Sequence, residues 1–133
     1  MEVDEEAQFS VTASKYSAGM ANIIFQATKR LVNSSNDCIA VDMTAGAGGL
    51  TLGLAKKFST VVALEIDSVR AQLCQTNMIS QGHSNVSVVC ADAMEYVLSM
   101  NHAVPLGLII DPPWGGLATV PDIGATTLRP SLS

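Results

Sequence analysis

The residues able to do chemistry fall at four places, each at the end of an apolar run. The most distinctive is Leu108-Ile109-Ile110, which runs into Asp111-Pro112-Pro113-Trp114-Gly115-Gly116. Proline donates no ladder hydrogen bond and fixes φ, so a buried strand must stop there and leave the sheet rigidly. A carboxylate and an indole then face whatever lies beyond, an exit suited to a flat, amine-bearing ligand. Earlier, Asp42 precedes the turn Met43-Thr44-Ala45-Gly46-Ala47-Gly48-Gly49. Gly46 and Gly48 permit close backbone approach, and a helix start beyond offers unpaired N–H groups. The third glycine of a G-x-G-x-x-G fingerprint is replaced by Thr51, so this turn alone fits tight packing as well as ligand contact. Glu65 stands 23 residues after Asp42, where an acid can accept hydrogen bonds from both ribose hydroxyls. Asp67 is the better helix cap, which leaves Glu65 for a ligand. Asp92 stands where a carboxylate can accept from an adenine amino group, with helix capping as the competing role. Asp42 itself either orients the glycine loop or binds a ligand ammonium.

Four acids at one rim, with no Lys or Arg near the glycine loop, make a poor phosphate site. They suit a nucleoside that carries positive charge, and S-adenosylmethionine has the parts required: ribose, adenine, an ammonium and a sulfonium.

The elements that must hold these residues follow from periodicity. An acidic lead, Met1 to Gln8, reads as a solvated tail. From Ser14 to Leu31, Met20, Ile23, Ile24, Ala27 and Leu31 recur at helical spacing, with Lys29 and Arg30 in the last turn. Short apolar runs at Cys38–Asp42 and Thr60–Leu64, and the run before Asp111, read as buried strands, and Val86–Cys90 reads as a further strand. Between them lie helical stretches from Leu50 to Lys57, Ser68 to Ser80 and Ala93 to Met100. Gln81-Gly82 closes the second of these, and Asp92 caps the third. Past Trp114 no pattern returns. Alternating strands and helices imply an α/β fold with a doubly wound parallel sheet, its ligand crevice at the strands' carboxyl ends. The expected organisation is a lead and hydroxyl segment over 1–13, a cofactor-binding core over 14–116 and an irregular tail over 117–133.

Composition narrows the class. Of 133 residues, 48% are hydrophobic and 14% charged, enough apolar matter for one folded domain. A net charge of -5 argues against broad electrostatic binding to nucleic acid and leaves room for a local nucleotide pocket. Cys38, Cys74 and Cys90 sit singly among apolar residues, and His83 and His102 are isolated, so neither disulfide nor metal is expected. No apolar run reaches the roughly 18–20 residues of a membrane span, and the acidic start is not a secretory signal. The reading is an intracellular protein, nuclear or cytoplasmic, without a membrane partner.

Val41-Asp42-Met43-Thr44-Ala45-Gly46-Ala47-Gly48-Gly49, Glu65-Ile66-Asp67 and Asp111-Pro112-Pro113-Trp114 resemble the cofactor and acceptor motifs of class I S-adenosylmethionine-dependent methyltransferases. Phe9-Ser10-Val11-Thr12 and Pro112-Pro113-Trp114-Gly115-Gly116 resemble, more narrowly, the trimethylguanosine synthases, RNA cap guanine-N2 methyltransferases whose motifs run roughly FSVTPE and SPPWGGP. Ala13-Ser14 and Asp111 depart from that pattern; Asp is common in other amino-methyltransferases, including guanine-N2 enzymes acting on ribosomal RNA. The resemblance implies a Rossmann-like sheet of seven strands, of which four are recognisable, so the core looks truncated after the fourth. A complementing C-terminal half or partner chain would supply the rest. It further implies cofactor contacts from Asp42, Gly46, Gly48, Glu65 and Asp92, with Thr12 near the methionine end. Trp114 would stack on 7-methylguanine, Asp111 and the Pro112 carbonyl would position its N2 amine, and Asn77 would stand near the substrate. The partner implied is 7-methylguanosine-capped RNA of small nuclear or nucleolar type. Two other readings compete: an amino-methyltransferase for rRNA, tRNA or DNA bases, and a non-catalytic cofactor- or cap-binding fragment. A nicotinamide enzyme fits less well, since Asp-Pro-Pro-Trp has no role there.

Overall fold

The computed structural model describes residues 14–31, 38–100 and 106–111. In chain order these form α1 (Ser14–Leu31), β1 (Ile39–Asp42), α2 (Gly49–Ala55), β2 (Val61–Glu65), α3 (Ser68–Ser80), β3 (Val86–Cys90), α4 (Ala93–Ser99) and β4 (Leu106–Ile109). The four strands pair in parallel in the order β3-β2-β1-β4. The chain winds outward from β1 to β3, then crosses back to place β4 on the other side of β1. That reversal of strand order is a topological switch point, and sheets of this kind bind ligands at the carboxyl ends of the strands beside it. This is the expected Rossmann-like α/β arrangement.

Burial follows strand position. β1 and β2 lie inside the sheet, and Ala40, Val41, Val61, Ala63 and Leu64 are each sealed from solvent. One sheet face carries Ala40, Val61, Ala63 and Ile109 against α1, α2 and α3, and the other carries Val41, Val62 and Leu64 against Val97 of α4. β3 and β4 are edges among the described strands, so two expectations need correction. The run before Asp111 is not a buried strand: Leu108 is 48% and Ile110 63% exposed. Cys90 is not a core cysteine but an exposed one on β3, whereas Cys38 and Cys74 are buried; all three are free thiols.

The face of α1 also differs from the periodic reading. Ile23 and Leu31 are largely exposed, while Ser17 and Ala21 are buried and Ile24 and Phe25 pack against the core. The packed stripe includes two hydroxyl residues. Ser17 Oγ donates to the Gly49 carbonyl at 2.8 Å, and Thr28 Oγ1 donates back to the Ile24 carbonyl of its own helix. A Cβ on Gly53 would lie 2.6 Å from the Ser17 carbonyl oxygen, so a residue without a side chain lets α1 and α2 cross closely. Phe25 meets Phe58 edge to face, centroids 5.1 Å apart, and closes the far end of this contact. Thus α1 clamps the helix that begins at the glycine turn.

Candidate functional site

The four acids line up in space as they do along the rim. Given the strand order, Asp92, Glu65, Asp42 and Asp111 follow one another across the carboxyl ends of β3, β2, β1 and β4. Beneath them is a cavity of about 260 Å³ lined by Thr44, Gly46, Glu65, Ile66, Asp92 and Asp111, among others. The acids differ sharply in what they do there.

Asp42 is an internal brace. It is 1% exposed; Oδ2 accepts from the Thr51 hydroxyl at 2.7 Å and Oδ1 from the Thr44 N–H at 3.3 Å. Burial pushes its carboxyl up from 3.8 to about 6 against these two donors, and the nearby charges of Asp111 and Glu65 raise it further. Of its two expected roles, orienting the glycine loop is the one its bonds perform. Thr51, which breaks the dinucleotide fingerprint, therefore has a positive purpose: it supplies the hydroxyl that a glycine could not.

Glu65 is a brace that also faces the cavity. Its Oε1 accepts from the Gly46 N–H at 3.1 Å and its Oε2 from the Asp67 N–H at 2.8 Å. One carboxylate thereby holds the glycine loop to the end of β2. An ionised carboxylate has about four acceptor directions, so two backbone bonds leave capacity for a diol. Asp67 caps α3 through the Arg70 N–H at 2.9 Å, as its place in the sequence implies. Asp92 caps α4 through the Glu95 N–H at 3.0 Å and lines the cavity as well, so capping does not withdraw it from the rim.

Gly46 lines the cavity with its backbone, at φ 56°. Gly48 is needed for a different reason. It sits at φ 101°, and a Cβ there would come within 2.6 Å of Met78 Cε and 3.1 Å of Cys74 Sγ. Its bareness lets the loop lie on α3, and it is not among the residues lining the cavity. Asn77 belongs to the same underside: it is 2% exposed, and its amide donates to the Ala47 carbonyl at 2.9 Å. The expectation that Asn77 stands at the substrate is corrected by this burial; its side chain holds the loop from within. Burial, with the charges of Asp42 and Glu65, likewise pushes the Cys74 thiol up to about 12, so that cysteine is a packing residue.

One residue missed in the sequence is Arg70. The rim was expected to lack a cation, yet the first turn of α3 brings Arg70 into the cavity lining with Glu65 and Asp92. The available signal was its place three residues after the Asp67 cap, which puts it on the opening turn of a helix starting at the rim. Three acids against one cation still leave the described lining acidic. Thr12, Pro112 and Trp114 lie outside the described residues. Among those described, no cluster of His, Cys, Asp or Glu is arranged to hold a metal, and no helix is long and apolar enough to cross a membrane.

A parallel sheet with its glycine turn after β1, an acid ending β2 and a second acid following β3 defines the class I S-adenosylmethionine-dependent methyltransferase fold. The SMU.1697c methyltransferase of Streptococcus mutans, solved with S-adenosylhomocysteine, shares that fold at a TM-score of 0.52 over 68% of this chain and 47% of its own, with 14% identity. The family model of RNA cap guanine-N2 methyltransferases matches residues 37–121, and the chain belongs to that family. The chain is also 35% identical over 95 residues to the uncharacterized RNA methyltransferase tlr0942 of Thermosynechococcus vestitus, covering 66% of this chain and 21% of that protein. It is 31% identical over 78 residues to protein L320 of Acanthamoeba polyphaga mimivirus, covering 59% and 30% respectively. The chain thus spans less than a third of the length of either relative.

S-adenosylmethionine is the cofactor of this fold and family, and the residues present fit it. Glu65 faces the cavity with acceptor capacity to spare, Asp92 faces it one strand further out, and Ile66 presents an apolar side chain that is 68% exposed. Glu65 would be the acid for a ribose diol, Ile66 the apolar flank for a purine and Asp92 the acceptor for its amine.

Proposed function

We propose that this chain carries the cofactor site and acceptor motif of an enzyme that methylates the exocyclic N2 amine of guanine in a 7-methylguanosine RNA cap. The observation that carries the reading is the continuity of the rim: the cavity lined by Glu65 and Asp92 extends without a break to Asp111, the residue that opens Asp-Pro-Pro-Trp. The cofactor supplies an electrophilic methyl group on a sulfonium. Glu65 accepts from the ribose hydroxyls, Ile66 flanks the adenine and Asp92 accepts from its amine. The Asp111 carboxylate and the Pro112 carbonyl accept from the N2 amine, which aims its lone pair and offsets the positive charge that develops on nitrogen. Positioning is the main contribution, since fixed geometry alone can supply several kcal/mol of such a barrier. Trp114 stacks on the cationic 7-methylguanine, which adds a cation–π attraction of about 1–2 kcal/mol when desolvated. Thr12 borders the methionine end. The substrate is capped RNA, of the small nuclear or nucleolar type.

Asp111 favours a second reading in one respect. Where the trimethylguanosine synthases have Ser this chain has Asp, as do amino-methyltransferases acting on bases within longer RNA. Calorimetry with a 7-methylguanosine cap analogue separates the two. Trp114→Ala should weaken cap binding at least tenfold with S-adenosylhomocysteine affinity unchanged; equal cap affinity in both proteins would refute the stacking role and the cap assignment with it.

A further inference from the structure

Asp42 and Ile109, the last residues of β1 and β4, stand opposite each other in the sheet. Past them the chains share one more main-chain bond, from the Met43 N–H to the Ile109 carbonyl at 2.8 Å. A regular parallel ladder would next join the Asp111 N–H to the Met43 carbonyl. Instead the Asp111 N–H donates to Thr44 Oγ1 at 2.8 Å. A side chain of the glycine loop takes the place of the main chain as acceptor. The donor it captures is also the last before Trp114, because Pro112 and Pro113 have no N–H.

Thr44 is fixed from its other side by its own N–H, which donates to the buried Asp42 carboxylate, and it lines the same cavity as Gly46 and Glu65. We infer that Thr44 is a positioning residue that couples the cofactor loop to the acceptor motif, its hydroxyl setting the point and direction at which Asp-Pro-Pro-Trp leaves the sheet. The residue before a proline is confined to extended backbone, so anchoring the Asp111 N–H removes most of the freedom left at that position. Proline fixes φ, so two prolines in succession leave the backbone little freedom past that point. A shift of the glycine loop is in this way passed to the acceptor side through one hydroxyl, without a contact between the two ligands. The kinetic consequence rests on the methyl-transfer reading; the anchoring itself does not.

Thr44→Val keeps the branched shape and removes the acceptor, and Thr44→Ser restores a hydroxyl. Amide exchange at Asp111 reads the anchor, and Trp114, the single tryptophan of the chain, reads the exit through its fluorescence quenching. In Thr44→Val, exchange at Asp111 should quicken at least about tenfold and Trp114 quenching should change. The kcat for methyl transfer should fall about tenfold or more, as for a misplaced reacting group, while S-adenosylhomocysteine affinity stays within about threefold. Thr44→Ser should return all of these towards the wild type. Unchanged Asp111 exchange in Thr44→Val overturns the inference, as does a loss of cofactor affinity equal to the loss of kcat, which marks a merely structural role. Wild-type protein that transfers no methyl to any guanine acceptor would overturn the methyl-transfer reading instead, and exchange at Asp111 would still decide the anchor.

Discussion

Asp42→Asn should make the protein more stable at pH 8 than the wild type, by a margin that shrinks on acidification. The Asp42 carboxyl sits at about 6 in the folded protein against an ordinary value of 3.8. Between those values the folded state holds a proton that the unfolded chain has released. Stability from this group is therefore fully present below pH 3.8 and is lost as pH rises through about 6. Linkage over that gap costs the folded state about 1.6 kcal/mol at pH 5 and about 3 kcal/mol at pH 8, a fall of about 1.4 kcal/mol. Asparagine does not titrate. Its Oδ1 can keep the Thr44 N–H, and its Nδ2 can donate to the Thr51 hydroxyl, which turns from donor to acceptor. Urea unfolding of both proteins at pH 5 and pH 8, at one ionic strength, gives the difference directly. The advantage of the asparagine variant should grow by about 1.4 kcal/mol from pH 5 to pH 8. A difference that does not change with pH, or that runs the other way, would refute the assignment of Asp42 as a buried charge held at an energetic cost.

Two further substitutions separate loop-holding from ligand contact. Glu65→Gln leaves one acceptor oxygen where two backbone N–H groups now converge, so one of Gly46 and Asp67 loses its partner. S-adenosylhomocysteine affinity should fall about tenfold or more and stability by about 1–3 kcal/mol, read by calorimetry and urea unfolding. Asn77→Ala removes the donor to the Ala47 carbonyl under the glycine loop. It should cost about 1–3 kcal/mol and loosen cofactor binding, while cap-analogue affinity at saturating S-adenosylhomocysteine stays as in the wild type.

Much of the fold was legible because its signals are local. α3 and β3 lie over the expected residues, one bounded by the Asp67 cap and Gly82 and the other marked by Val86, Val88 and Val89. The rim was legible too, since an acid closing an apolar run marks the carboxyl end of a parallel strand. What failed depended on neighbours. The buried stripe of α1 was misplaced because Ser17 and Thr28, polar by composition, sit within the packed face through bonds to Gly49 and Ile24. The burial of β4 was overestimated because an apolar run reads alike at the edge and at the centre of a sheet. Arg70 was missed because its distance from the glycine loop along the chain conceals a shared cavity. Thr51, read as a broken fingerprint, gains its role only when the start of α2 folds back onto Asp42, and Thr44, read as a plain turn residue, only when β1 and β4 are set side by side.

The central claim is that this site delivers a methyl group to the N2 amine of a capped guanine. It is tested most directly by incubating the protein with labelled S-adenosylmethionine and three acceptors: a 7-methylguanosine cap analogue, the unmethylated cap, and uncapped guanosine-containing RNA. Label should appear on N2 of the 7-methylguanosine cap in clear preference to the other two. Label on uncapped RNA alone, or on none of the three while S-adenosylhomocysteine still binds, would contradict it.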